Sequence, residues 1–339
     1  MFDIDEFREI KLPSENEILN KFLSDITVPT VSFVCTTYNH EAFIEDTIRG
    51  FLLQETSFPY EILIHDDCST DGTKCIIQKY AVAYPNLIKA YFQKENQYSK
   101  NRHFPLHFMF GMAKGKYIAV CEGDDFWIDR YKTSRQLSVL EGSKDIALVY
   151  SKAYIYDEPN SRFTGKTVGG LLKREQLYLR NLIPTLTVMF RRQYLEGYEN
   201  FVKYHEQNWM QSDYPLWLWL NSRGAVIFNN SICSVYRILK ASASRAVDVR
   251  QQYEFRKSAL LVSSFYAEKF LAQEKVKGVL FYHHTFIAFW CFLRKLDYGM
   301  LHLDRAKQEA CFFQKLFLNC FFSKLFIKFF IPVFSKLRG

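Results

Sequence analysis

The chain lacks the turns that usually hold a nucleotide against a buried sheet. Its first strand-like run, Val31-Ser32-Phe33-Val34-Cys35, leads into Thr36-Thr37-Tyr38-Asn39-His40 and not into Gly-x-Gly-x-x-Gly, so a pyrophosphate cannot lie tight on that turn. No Gly-x-x-x-x-Gly-Lys-Ser/Thr occurs either, which removes a P-loop. Eight cysteines are scattered without one Cys-x-x-Cys pair, which suits buried thiols in a reducing compartment and neither a disulfide scaffold nor a zinc site. The start, Met1-Phe2-Asp3-Ile4-Asp5-Glu6, is acidic and lacks the basic-then-apolar order of a signal peptide. No uninterrupted apolar stretch reaches the ~18 residues of a clean membrane span. The net charge of +8 comes from spread-out basic residues with no nucleic-acid reader motif among them. A location in the cytoplasm, on the inner face of the cytoplasmic membrane, is the expectation.

What is present is concentrated at strand ends. Tyr60-Glu61-Ile62-Leu63-Ile64-His65 has the apolar content of a buried parallel strand. It runs into Asp66-Asp67-Cys68-Ser69-Thr70-Asp71-Gly72-Thr73, where Ser69, Thr70 and Asp71 are good helix N-cap types for a helix through about Tyr84. A helical pattern also spans Glu41 to Leu53. A third run, Tyr117-Ile118-Ala119-Val120-Cys121, ends in Glu122-Gly123-Asp124-Asp125-Phe126-Trp127. Three carboxylates within four residues raise one another's pKa unless a cation neutralises them. Hard oxygen ligands suit Mg²⁺ or Mn²⁺, which bind through one or two carboxylates plus substrate phosphates. In an open α/β sheet, ligands sit outside the carboxyl ends of the strands, so Thr36 to Asn39, Asp66/Asp67 and Asp124/Asp125 would face one crevice.

These motifs resemble those of family 2 glycosyltransferases. The match covers the strand-end segments above, then Ser212-Asp213-Tyr214-Pro215-Leu216-Trp217-Leu218 and Val235-Tyr236-Arg237, in order from about residue 29 to 240. The resemblance implies a GT-A fold, an α/β Rossmann-like sandwich with a mixed, mainly parallel sheet, and an inverting, metal-dependent transfer of sugar from a UDP-linked nucleotide sugar. It implies roles too. Thr36 and Tyr38 line the nucleoside pocket, Asp66 hydrogen-bonds the base, and Asn39, Asp67 and Arg237 complete the donor contacts. Asp124 meets the ribose or the metal, Asp125 is the metal ligand for Mn²⁺ or Mg²⁺, and Asp213 is the general base. The acceptor would be a growing surface glycan such as O-antigen, capsule or lipooligosaccharide, on a lipid carrier or lipid core. Four positions depart from the pattern: Glu122 for Asp, Cys68 for Gly, Ser212 before the base, and Ile238-Leu239-Lys240 where a His often follows Arg237.

Conspicuous aromatic and basic residues have their own readings. Trp217 and Trp219, among Leu216, Leu218 and Leu220, read as core. Trp127 is open between stacking on a sugar or acceptor ring and ordinary packing. His40 and His65 lack partners at metal-ligand spacing and read as pocket lining at most, and His283-His284 read as satisfied core residues. Residues 241–310 carry a helical pattern, and 311–339 form a Phe/Lys-rich tail with the composition of an interfacial membrane anchor. The expected organisation is an N-terminal extension (1–28), a glycosyltransferase domain (29–240), the helical extension and the tail. A catalytically impaired nucleotide-sugar-binding protein, a membrane-bound scaffold and a nucleotidyltransferase are the competing readings.

Overall fold

The computed structural model describes residues 2–203, 207, 209–240, 248–294, 296–310, 314–315 and 318. The strands are β1 (Val31–Thr37), β2 (Tyr60–Asp66), β3 (Ile88–Phe92), β4 (Tyr117–Val120), β5 (Phe126–Trp127), β6 (Ile146–Asp157), β7 (Arg162–Val168), β8 (Met189–Arg191) and β9 (Ala225–Ile238). They form one sheet in the order β3-β2-β1-β4-β8-β6-β9-β5, with β7 beside β6. Strands β1, β2, β3 and β4 pair in parallel, as do β6 and β9. Strand β8 runs antiparallel to both β4 and β6, β5 to β9, and β7 to β6. The sheet is mixed, with β1, β2, β3, β4, β6 and β9 running one way.

The helices are α1 (Ile4–Glu9), α2 (Glu15–Leu19), α3 (Ile44–Leu52), α4 (Thr73–Ala83), α5 (Phe104–Met112), α6 (Lys132–Gly142), α7 (Tyr198–Val202), α8 (Tyr214–Arg223), α9 (Val249–Phe270), α10 (Gln273–Leu293) and α11 (Tyr298–Glu309). Every residue of β2 and β4 is buried. That is why these strands read as continuous apolar runs and not as alternating ones. Register fixes what their ends share. Thr36 lies opposite His65 and Thr37 opposite Asp66, while Val34 lies opposite Val120. The segments that follow Thr37, Asp66 and Val120 therefore leave the sheet at one edge.

The chain divides into two units. The first comprises Met1–Arg174, Leu182–Gln207 and Trp219–Lys240 and holds the whole sheet; the second comprises Glu175–Asn181, Asn208–Leu218 and Ala241–Gly339. Residues 1–28 belong to the body of the first unit, because Ile4 and Phe7 of α1 share a buried apolar cluster with Leu53, Phe126 and Val235. The segment bearing Asp213 belongs to the second unit. Its helices pack through Tyr253, Leu260, Ile287, Trp290 and Cys291. Helix α10 has the length and apolar composition to cross a membrane, although nearly half of that stretch is buried inside the protein. The tail lies outside the described residues apart from Gln314, Lys315 and Leu318.

Candidate active site

The acidic turn is held by its backbone. The Gly123 N–H donates to Thr36 O at 3.0 Å, tying the turn to the end of β1. The Thr47 hydroxyl of α3 lies 2.6 Å from Asp125 O and 3.1 Å from Gly123 O. Glycine is needed at 123 because a Cβ there would stand 2.6 Å from Thr37 Oγ1 and 3.0 Å from His40 Nδ1. Asp125 is buried while Glu122 and Asp124 are half-buried. Burial, then the charges of Asp124 and Glu122, push the Asp125 carboxyl well above its ordinary pKa, against the opposing pull of Arg237.

The two preceding strand ends are laced together. The Asn39 N–H donates to Ser69 Oγ at 2.8 Å, and Asn39 Oδ1 accepts from the Thr70 N–H at 2.8 Å. The Glu41 N–H donates to Asp71 Oδ2, and Glu41 Oε2 accepts from the Gly72 N–H. The polar types expected to cap α4 serve this lacing instead. Gly72 is the N-cap residue and makes no side-chain cap bond, while Asp71 Oδ1 accepts from the Thr73 N–H at 3.0 Å. Asn39 and Cys68 both have left-handed backbone, with φ of 54° and 66°. Cys68 thus keeps the turn that glycine would make, at a cost of about 1–2 kcal/mol.

The structure sorts the expected donor contacts. Thr36 is half-buried and Tyr38 exposed. Asp66 keeps its buried Oδ1 without a partner among the described residues, its Oδ2 accepting from the Ser69 N–H. Thr37 Oγ1, His40 Nδ1 and both ring nitrogens of His65 are likewise buried and unpartnered. Unsatisfied buried polar atoms are rare and gather where a ligand or water belongs. Burial holds the His40 imidazole below its ordinary pKa, partly offset by Asp124 and Asp71. Asp67 and Asn39 are otherwise engaged: the two Asp67 oxygens accept the N–H groups of Gln97 and Tyr98, both at 2.9 Å.

Two expected contacts turn inward. The Arg237 side chain is fully buried and donates to Asp46 Oδ2 at 2.5 Å and to Asp124 O at 2.9 Å. Its backbone N–H donates to Asp125 Oδ1 at 2.8 Å. The fully buried guanidinium thus braces the acidic turn from within the protein. Trp127 is 1% exposed, makes edge contacts with Phe33 and Phe51, and donates from Nε1 to Leu186 O at 2.7 Å. A ring packed on both sides by the core cannot stack on a sugar, so Trp127 is core. Its other neighbour, Lys132 Nζ, lies 4.0 Å from the ring centroid and is lowered to a pKa of about 8 by burial.

In the second unit Asp213 is half-buried and precedes α8. Its Oδ1 accepts the Tyr214 N–H at 2.7 Å and its Oδ2 accepts from Asn181 Nδ2 at 3.1 Å. Trp217 and Trp219 are buried as expected. His283 Nε2 lies 2.8 Å from Tyr178 O, and His284 Nδ1 lies 2.9 Å from His302 Nδ1, so both histidines are internally satisfied.

Among the described residues no three His, Cys, Asp or Glu side chains form a metal cage. The turn nevertheless fits a hard divalent ion, since such an ion takes only one or two protein carboxylates when phosphate and water supply the rest. Of the carboxylates at the turn, Asp124 is half-buried and Asp125 buried, the Asp125 carboxyl pushed up by burial and then by the charges of Asp124 and Glu122.

Residues 32–208 match the family described as Glycosyl transferase family 2. The chain belongs to that family. It is 35% identical over 166 residues to the uncharacterized protein Rv1520 of Mycobacterium tuberculosis, covering 48% of this chain and 47% of that protein, so it spans about half the length of that relative. It is 32% identical over 223 residues to an Escherichia coli protein, covering 63% of this chain and 79% of the other. That protein is the UDP-Glc:alpha-D-GlcNAc-diphosphoundecaprenol beta-1,3-glucosyltransferase WfaP. The fold matches Staphylococcus aureus TarS in complex with UDP-GlcNAc with a TM-score of 0.64 at 15% identity, covering 91% of each chain. The fold is therefore GT-A, with a helical C-terminal region.

Proposed function

We propose that the chain transfers a sugar, with inversion, from a UDP-linked donor to a hydroxyl of a lipid-linked cell-surface glycan. The observation that carries this reading is the acidic turn: a buried carboxylate raised by its neighbours, beside strand ends that present unpartnered buried polar atoms. WfaP acts on a diphosphoundecaprenol-linked sugar, and TarS is seen with a UDP-sugar, which favours donor and acceptor of these classes.

The chemistry follows from the residue types. Asp66 and Tyr38 receive the nucleoside, Asp66 accepting through its free Oδ1. Asp124 and Asp125 would hold a Mn²⁺ or Mg²⁺ ion, which would offset the charge appearing on the leaving diphosphate. Asp213 takes the proton of the acceptor hydroxyl as its oxygen attacks the anomeric carbon. The bond from that carbon to the diphosphate oxygen breaks, and UDP departs. The amide contacts from Tyr214 and Asn181 fix the Asp213 carboxylate, so its orientation does not have to be found during the reaction.

The test is nucleoside diphosphate release from UDP-, GDP- and dTDP-sugars with Mn²⁺ or Mg²⁺, in detergent and with undecaprenyl-diphosphate-linked sugar supplied. Metal-dependent release from a UDP-sugar is expected. Saturable binding without release from any donor supports a binding protein in place of an enzyme.

The second unit, with its tail, would rest on the inner face of the cytoplasmic membrane. Tyr282, Phe286, Met300 and Leu301 are exposed apolar residues of α10 and α11, and the tail combines phenylalanine with lysine. The full chain is expected to float with vesicles containing anionic lipid and to be released by high salt. Recovery wholly in the unbound fraction at low salt would rule the docking out.

A further inference from the structure

Helix α1 reaches the acidic turn through a relay that no motif announces. Arg8 Nε donates to Asp46 Oδ1 at 3.0 Å and lies 3.3 Å from Oδ2, while Nη2 donates to Oδ2 at 2.8 Å. Asp46, on α3, is 5% exposed and accepts from Arg237 at the same Oδ2. Arg237 in turn donates to Asp124 O and, through its backbone, to the Asp125 carboxylate. Its Nε also sits 3.2 Å from Glu158 Oε2. A second contact runs alongside. The Phe7 ring of α1 packs on Phe126, the residue after Asp125, with centroids 5.1 Å apart, and the Arg237 guanidinium lies 4.4 Å from the Phe126 ring. Arg49 anchors the end of α1 by donating to Ile10 O.

We propose that Arg8 and Asp46 are positioning residues for the acidic turn: they hold Arg237 so that Asp124 and Asp125 keep the geometry that receives the metal and the donor diphosphate. The inference rests on the functional reading given above. One carboxylate shared by two guanidiniums keeps a fixed rotamer, because each arginine removes freedom that the other would leave. Arg237 has no solvent to turn to, so its direction is set by its protein partners, with Asp46 the closest of them. Arg8 differs in being 46% exposed, so its removal perturbs the relay while adding little to the cost of the fold.

The test compares full-length wild type with Arg8→Ala and Arg8→Lys. Hydrogen–deuterium exchange is read across residues 122–127 without metal or nucleotide, and Mn²⁺ with UDP is titrated calorimetrically. In Arg8→Ala, exchange across 122–127 should quicken, and the affinity for Mn²⁺ with UDP should fall about three- to tenfold. Lysine should restore part of both. Combining Arg8→Ala with Asp46→Asn should weaken binding no further than Asp46→Asn alone, since both act through Arg237. Should Asp46→Asn fail to fold, the Arg8 pair decides alone. A lowered Tm with wild-type exchange and affinity overturns the proposal, as does simple additivity in the double variant. Faster exchange in Arg8→Ala, in a protein whose wild type binds no Mn²⁺ with UDP, overturns the functional reading while upholding the brace.

Discussion

Replacing Asp213 by Asn should lower UDP release by about 10²- to 10⁴-fold, the range for loss of a general base. The substitution isolates the proton acceptor. Asparagine keeps the shape and the Oδ1 that accepts the Tyr214 N–H, and Asn181 can turn its own carbonyl towards the new amide. The fold of the second unit and the donor KM should therefore stay near wild type, because the base meets the acceptor hydroxyl and not the nucleotide. A fall in kcat with an unchanged KM is the pattern of an interaction made in the transition state. Turnover within a few-fold of wild type would remove Asp213 from the mechanism and leave the acceptor proton to another group.

Much of this site was legible because parallel strands buried on both faces read as apolar runs, and their polar ends stand out at once. Strands β1, β2 and β4 begin where the runs begin. The three carboxylates of the acidic turn were conspicuous for the same reason that makes them costly: like charges are seldom set together without a cation. What the sequence hid is orientation. Asp46 reads as one polar residue in the first turn of α3, yet its partner Arg237 is 191 residues away, and no local pattern reports a contact at that separation. Asn39 and Asp67 carry the right chemistry for a ligand but satisfy loop amides. Trp127 belongs to a two-residue strand, too short for alternation to show which way the ring points. The lacing of Asn39 with Ser69 and Thr70 left a trace only in side chains suited to loops as well as to helix caps.

Asp125→Asn should separate activity from stability, with opposite signs. Asparagine is nearly isosteric, and its Oδ1 still accepts the Arg237 N–H that Asp125 receives at 2.8 Å. What disappears is the charge. Activity with Mn²⁺ should fall by about 10²- to 10³-fold, the scale for losing one preorganised electrostatic contact to the reacting centre. Stability should move the other way. Burial and the neighbouring Asp124 and Glu122 raise the folded carboxyl above its ordinary value of 3.8. The folded state therefore binds this proton more tightly than the unfolded state does. The linked stability is present below pH 3.8 and is lost as pH rises through the raised folded pKa, so the charged carboxylate works against the fold. Without cation, the variant should melt at or above the wild-type Tm at pH 7, and the gap should close as the pH is lowered. Adding Mn²⁺ with UDP should raise the wild-type Tm, since a ligand that binds only the native state stabilises it, and should raise that of the variant much less. A cation-free variant that melts well below wild type would mean that the Asp125 charge is already compensated inside the protein, by Arg237, and the turn would then be a structural salt-bridge site with no need of a metal.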